Sequence, residues 1–144
     1  MRARGFTLLE LLVVLVIVSI GTAILLNSPF SAASAGDLKA AARSLASGLR
    51  QAQTLAITSR KDALLTLDVE AREFHVADLA PRRVSEKVEL KLYTAESEVT
   101  SERTGSIRFY PDGSSTGGRI TVSSGERKYL VDVDWITGRV SIND

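Results

Sequence analysis

Glu10 is the only charged side chain in an otherwise apolar run from Phe6 to Leu26. A carboxylate at the centre of a membrane helix costs about 2.5–3.5 kcal/mol on the insertion scale. Such a group is tolerated near the membrane edge or beside a partner of opposite charge. Either Glu10 lies at the edge and reaches water, or it pairs with a cationic group.

Other residues that could do chemistry are few. His75 is the single histidine and lies between Phe74 and Val76 in a strand pattern, with no nucleophile motif beside it. We therefore expect a solvated strand residue. Asp132 and Asp134 share one face of a predicted strand, but their spacing does not match a calcium-binding EF-hand loop. The sequence predicts no catalytic residue, no cofactor and no metal site.

The charge balance argues against a nucleic-acid surface. The 18 Lys and Arg residues face 17 Asp and Glu residues, for a net charge of +1. Phosphate binding needs several cations on one surface, and only Arg119 and Arg139 are candidates near the C-terminal end. We expect no nucleic-acid partner. The chain has no cysteine, so its core must be held by packing without disulfides.

Residues 6–28 are predicted to be a transmembrane segment. A helix rises 1.5 Å per residue, so about 20 residues cross a bilayer core of about 30 Å. Arg2 and Arg4 precede the run and favour a cytoplasmic N-terminus. The alternative is a secretory signal cleaved near Ala33-Ser34-Ala35. The length of the run and Glu10 both favour the membrane anchor.

Residues 29–62 are predicted to form a hinge and the amphipathic half of a long helix. Pro29 and Gly36 should loosen the helix locally. Beyond them, apolar residues recur on one face at 3.6 residues per turn. We expect one helix from residue 6 to about residue 60, whose second half packs on a sheet through Leu38, Ala42, Leu45, Leu49, Ala52 and Ala56.

Residues 63–144 are predicted to be an antiparallel β domain, because apolar and polar residues alternate there. Turn signals such as Pro111-Asp112-Gly113 and Thr137-Gly138 separate the short strands. Two polar stretches, around residues 81–86 and 94–105, are expected to be loops. Trp135 is expected in the core or at a sheet edge, on the same face as Val131 and Val133.

The N-terminus resembles the class III signal of type IV pilins and pseudopilins: a short basic leader ends in Gly5, Phe6 follows, and Glu10 precedes an unbroken apolar run. This resemblance implies that residues 1–5 are a leader peptide. A prepilin peptidase would cut between Gly5 and Phe6 and methylate the new amine of Phe6. Glu10 would then face that amine, in its own or a neighbouring subunit, and guide assembly.

The resemblance extends over residues 49–57, residues 107–114 and the Gly117-Gly118 and Thr137-Gly138 pairs. These segments are similar to the H-type minor pseudopilins, which share a domain with FimT-like minor pilins. The implied fold is α+β and type IV pilin-like, with a long N-terminal helix packed on an antiparallel sheet.

The implied role is a subunit near the tip of the type II secretion pseudopilus, a periplasmic filament that helps export folded proteins across the outer membrane. Such a protein is anchored by a single pass in the inner membrane, with its C-terminal domain in the periplasm. Its partners are the prepilin peptidase and other major and minor pseudopilins, with the outer-membrane secretin or an exported protein as further candidates. The alternative is a FimT-like minor pilin that serves pilus assembly or DNA uptake.

Overall fold

The computed structural model describes residues 7–26 and 33–144. The chain divides into two compact units, Met1–Ser31 and Ala32–Asp144. Five residues that carry predictions lie outside the described residues: Arg2 and Arg4 of the basic leader, Gly5 and Phe6 of the cleavage site, and the hinge proline Pro29.

The first unit contains helix α1, Leu8–Leu26. Thr7 caps its first turn: the backbone N–H of Glu10 donates to Thr7 Oγ1 at 3.2 Å, which satisfies a donor that the helix itself leaves unpaired. Among the described residues, no helix is long and apolar enough to cross a membrane. The predicted transmembrane range, residues 6–28, includes Phe6, Asn27 and Ser28, which lie outside the described residues.

The second unit begins with helix α2, Ala35–Ser59. The Ser34 side chain accepts the N–H of Asp37 at 3.1 Å, and the Asp37 carboxylate accepts the N–H of Ser34 at 3.0 Å. This reciprocal capping box starts a new helix, and Ser34 itself is extended, with φ −64° and ψ 157°. The prediction of one continuous helix from residue 6 to residue 60 was therefore wrong. Helix α2 ends at Arg60, which is left-handed with φ 55°.

Within residues 33–144, eight antiparallel strands form two four-stranded sheets. The first sheet has the order β3-β2-β1-β5 and the second has the order β4-β6-β7-β8. A short 3-10 helix, Glu96–Glu98, precedes β5. The strands are β1 Ala63–Asp68, β2 Glu73–Val76, β3 Arg82–Arg83, β4 Glu89–Thr94, β5 Thr104–Phe109, β6 Gly118–Ser124, β7 Arg127–Val133 and β8 Val140–Asn143.

The core lies between α2 and the inner faces of both sheets. The apolar stripe predicted on α2 is confirmed, since all six of its residues are fully buried. Helix and sheet approach closely at Gly48, where an added Cβ would lie 2.6 Å from Cε2 of Phe74. Burying each Leu or Phe side chain stabilises the fold by about 1.5–3 kcal/mol. The largest buried side chains are Phe74, Phe109, Leu38, Leu45, Leu49, Leu65, Leu67, Ile107 and Ile120.

The two stretches expected to be loops contain short regular elements. Strand β3 lies in the first and pairs with Glu73 and Phe74 of β2. The second contains the 3-10 helix, and the start of β5 replaces its last residues. Polar composition hid these elements because both are short and one is an exposed sheet edge.

Trp135 was expected in the core or at a sheet edge, and this expectation was wrong. Strand β7 ends at Val133, and Trp135 is 66% exposed. The chain turns there because the carboxylate of Asp134 accepts the backbone N–H groups of Ile136 and Thr137, at 3.0 and 2.8 Å. This Asx-type turn rotates the tryptophan away from the inner face of the strand.

Candidate assembly site

Glu10 is the third residue of α1 and its side chain is exposed. An acidic group in the first turn is favoured by the positive end of the helix dipole. None of the ion pairs among the described residues includes Glu10. Its predicted partner, the amine of Phe6, lies outside those residues. The geometry leaves the carboxylate accessible to a cation that lies beyond the described part of the chain.

The surface of α1 is apolar on every side. Its large apolar side chains from Leu8 to Ile20 are between 46% and 82% exposed. The hydroxyls of Ser19 and Thr22 do not break this surface, because they donate to the carbonyl oxygens four residues earlier, at 2.7 and 2.8 Å. A helix that is apolar all round needs an apolar environment.

Gln53 of α2 connects the helix to two loops that lie far away in the sequence. Its Nε2 donates to the carbonyl oxygen of Gly113 at 2.9 Å and to that of Thr137 at 3.0 Å. Gly138 has φ 64°, and a Cβ there would lie only 2.1 Å from the Gly113 oxygen. Three segments that carry the family resemblance therefore meet at one hydrogen-bonded junction. These contacts were not predictable from the sequence, because the residues that touch are far apart along the chain.

Arg108 of β5 holds the 3-10 helix through a second polar junction. Its Nε donates to Glu98 Oε1 at 2.9 Å, and its Nη1 lies 3.4 Å from Asp62 Oδ2. The hydrogen bond that Arg108 donates to Glu98 raises the pKa of Arg108 above its usual value, and the attraction of Glu98 and Asp62 adds to the effect. Because the Glu98 side chain is only 6% exposed, removing Arg108 would leave a buried carboxylate without its partner.

The remaining candidate residues serve the fold. Arg119 donates through Nε to Asp132, so one of the two candidate phosphate-binding cations has an acidic partner. Asp134 accepts the N–H and hydroxyl of Thr137, which lowers the pKa of that carboxyl. His75 is exposed on β2, opposite Thr66, as predicted. Within the described residues, no cluster of three or more His, Cys, Asp or Glu side chains could hold a metal ion.

Solved structures of pilin-like proteins share this fold. The chain is similar to the type IV minor pilin FimU of Pseudomonas aeruginosa, with a TM-score of 0.59 and 13% identity over 76% of this chain and 90% of that one. It is also similar to the minor pseudopilin EpsH from the type 2 secretion system of Vibrio cholerae. That match has a TM-score of 0.59 and 14% identity over 74% of this chain and 96% of that one. The type IV pilin-like α+β fold is therefore confirmed.

Sequence comparison is more specific. The type II secretion system protein H of Xanthomonas campestris pv. campestris is 28% identical over 139 residues, which are 96% of this chain and 82% of that protein. Residues 1–26 match the prokaryotic N-terminal methylation motif. Residues 41–138 match the model of the type II transport protein GspH, a range that covers α2 beyond its first turns and every described strand except β8. The chain therefore belongs to the GspH family of type II transport proteins.

Proposed function

We propose that this chain is a minor pseudopilin that acts near the tip of the type II secretion pseudopilus and helps export folded proteins. The observation that carries the proposal is the GspH match over residues 41–138. A filament subunit works through contact surfaces, and the described residues present apolar and hydrogen-bonded surfaces without a catalytic constellation.

The N-terminus would be processed before assembly. The prepilin peptidase cuts between Gly5 and Phe6, removes residues 1–5 and methylates the new amine. The match of residues 1–26 to the N-terminal methylation motif supports this step. Cleavage places a cationic amine four residues before Glu10.

Glu10 would then set the position of the subunit among its neighbours. Its exposed carboxylate in the first turn of α1 attracts the methylated amine of Phe6 in its own or an adjacent chain. Opposite charges attract more strongly in an apolar environment than in water, so the pair favours one axial register of packed helices.

The location of the subunit follows from its two units. The apolar N-terminal segment holds the chain in the inner membrane as a single-pass anchor, and residues 33–144 lie in the periplasm. There α2 and the sheets contact other major and minor pseudopilins. The outer-membrane secretin and exported proteins are further partners, at the step of export across the outer membrane. The prepilin-like N-terminus and the pseudopilin family support this membrane-anchored arrangement.

The test is isolation of the tagged full-length chain from membranes, with its co-assembled subunits identified by mass. Pseudopilins of a type II secretion system should be recovered, and loss of the chain should stop export of the substrates of that system. The FimT-like alternative makes the opposite prediction. Recovery of type IV pilus subunits, with export intact in the deletion strain, would overturn the proposal in its favour.

A further inference from the structure

Strand β4, Glu89–Thr94, is an open edge of the second sheet. Strand β6 pairs with one side of it along all six residues. No other hydrogen bond within residues 7–26 and 33–144 involves a backbone N–H or C=O of residues 89–94. The strand is about 20 Å long at roughly 3.3 Å per residue. Unpaired backbone groups along such an edge are a template for an added strand.

The other three sheet edges are protected in ways that β4 is not. Strand β3 has only two residues and follows Pro81, which has no N–H to donate. On β5, the backbone N–H of Arg108 donates to Thr116 Oγ1 at 3.1 Å, and the carbonyl oxygen of Arg108 accepts the N–H of Thr116 at 3.0 Å. On β8, Arg50 of α2 donates to the carbonyl oxygen of Val140 at 3.2 Å. Among the described strands, β4 is thus both long enough to pair with an added strand and unpaired along one edge.

A cavity of about 390 Å³ lies beside β4 and is lined by residues of this strand and of the segment 99–105. At the C-terminal end of β4, Thr94 Oγ1 donates to the carbonyl oxygen of Ser106 in β5 at 2.7 Å. The cavity gives space for apolar side chains of a strand laid along β4. Its apolar lining comes from Val69, Leu90, Leu92 and Val99.

The outer side of β4 carries two charges without partners. Glu89 and Lys91 are exposed, and neither belongs to an ion pair among the described residues. Their cross-strand neighbours on β6 are the uncharged Ser123 and Thr121. Charged residues directly opposite each other in a sheet stabilise it when their signs differ and destabilise it when they match. The edge therefore favours one charge pattern in an added strand.

We propose that β4 docks an extended segment of another protein, which pairs with it antiparallel. The segment has an acidic residue opposite Lys91 and a basic residue opposite Glu89. Because the added strand runs antiparallel to β4, its sequence from the N-terminus is an acidic, an apolar and a basic residue. Every strand pair in both sheets is antiparallel, and antiparallel ladders are slightly more stable. Recognition of an extended peptide by a sheet edge with alternate side chains in a cavity is a known binding mode.

A second copy of this chain fits the edge less well, although Glu89-Leu90-Lys91 has the same charge order. Ala33, where the chain joins the second unit, donates its N–H to Ser124 Oγ at 2.9 Å. Ser123, which precedes Ser124 on β6, pairs with Glu89. The chain therefore joins this unit at the Glu89 end of β4. Antiparallel pairing of two copies would place these junctions at opposite ends. Two chains anchored in one membrane face the same way, and this step rests on the proposed anchoring.

The experiment uses the full-length chain in detergent micelles and a fluorescent peptide with the sequence of residues 87–94, whose charge order is the required one. Fluorescence anisotropy should show saturable binding, and hydrogen exchange should slow at residues 89–94. Placing Lys before Glu in the peptide should weaken binding roughly tenfold, since two favourable charge pairs become repulsive. N-methylation of alternate peptide residues should abolish binding by removing ladder donors.

The charge-exchanged protein Glu89→Lys with Lys91→Glu should prefer the reversed peptide. The matched control is Glu126→Lys with Lys128→Glu, which has the same spacing in the β6–β7 hairpin and should bind as the wild type does. Equal affinity for both peptide orders, or binding that survives N-methylation, would overturn the proposal. So would self-association of the chain through disulfides in Glu89→Cys with Lys91→Cys, because the occupant would then be a second copy. Each result is independent of whether pseudopilins are recovered with the chain.

Discussion

Gln53 and Gly113 are sixty residues apart in the sequence, and Gln53 Nε2 donates to the Gly113 carbonyl oxygen at 2.9 Å. The same nitrogen also donates to the carbonyl oxygen of Thr137. One amide thus fixes the C-terminal part of α2 to a loop after β5 and to the β7–β8 turn. That turn presents the exposed Trp135 and Ile136, so the junction sets the position of these two apolar side chains.

Replacing this amide should destabilise the second unit. Gln53→Ala removes two hydrogen bonds of about 0.5–1.5 kcal/mol each, so we expect a loss of about 1–3 kcal/mol in the free energy of unfolding. Urea denaturation of a fragment that starts at Ser31 measures it. The control is Gln51→Ala: Gln51 accepts a hydrogen bond from the exposed Arg82, and its loss should cost less. Equal effects of the two substitutions would show that the junction does not stabilise the fold.

A charge on the buried face of α2 should be far more damaging. Leu49 is 0% exposed, and an uncompensated buried charge costs about 3–5 kcal/mol. The Ser31 fragment should fold cooperatively without lipid, and Leu49→Asp should unfold it or greatly lower its melting temperature. Ser47→Asp places the same charge on the exposed face and should melt near the wild type. A Leu49→Asp fragment that melts as the wild type does would contradict the packing of α2 on the sheets.

Local sequence patterns predicted much of this fold. The 3.6-residue period identified the buried face of α2 through Leu45 and Leu49, and alternation placed the antiparallel strands within residues 63–144. The Gln53 junction was not predictable, because it joins residues far apart that have no shared period. Trp135 was misplaced because the alternation continues in the sequence, whereas the Asp134 turn ends the strand. The N-terminal motif predicted Glu10 as a site residue, while Gly5 and Phe6 lie outside the described residues.

Three carboxylates that close turns or caps should make the second unit sensitive to acid. Hydrogen bonds from Ser34, Ser114 and Thr137 respectively lower the pKa values of Asp37, Asp112 and Asp134 below the ordinary value of 3.8. A carboxyl whose pKa is lower in the folded state adds stability above the unfolded pKa. That stability is lost as the pH falls through the folded pKa.

We therefore expect the stabilisation from these carboxyls to be complete well above pH 3.8 and to decline below it. NMR titration measures the pKa values of the three carboxyls, and denaturation at several pH values measures the change in the free energy of unfolding. In Asp134→Asn, the part of the pH dependence of stability that is due to Asp134 should disappear. Titration of all three groups at or above 3.8 would contradict the hydrogen-bonded geometry.

Processing of the N-terminus predicts the mass of the mature chain. The protein extracted from membranes should lack residues 1–5 and carry one added methyl group on Phe6. Gly5→Leu should keep the full-length mass, because the residue before the cleavage site no longer fits the motif. A mature chain that starts near Gly36 would contradict prepilin processing and would favour a secretory signal instead.

Glu10→Ala should separate processing from assembly. The leader and Gly5 guide cleavage, so the variant should be inserted and cleaved nearly as the wild type is. Insertion itself becomes easier, because a carboxylate that costs about 2.5–3.5 kcal/mol at a helix centre is gone. The variant also loses the attraction between Glu10 and the methylated amine of Phe6. We therefore expect weaker crosslinking to neighbouring subunits in membranes and reduced export, with cleavage scored in the same sample.

Two further substitutions show whether the charge of Glu10 is the cause. Glu10→Gln keeps the shape and removes the charge, so it should assemble as poorly as Glu10→Ala. Glu10→Asp keeps the charge on a shorter side chain and should recover part of the crosslinking. Because Glu10 is exposed and has no ion pair among the described residues, none of these changes disturbs a contact within that part of the chain. Unchanged crosslinking and export in all three variants would show that Glu10 is a tolerated charge near the membrane edge, and that contacts of the periplasmic unit hold the subunit in the filament.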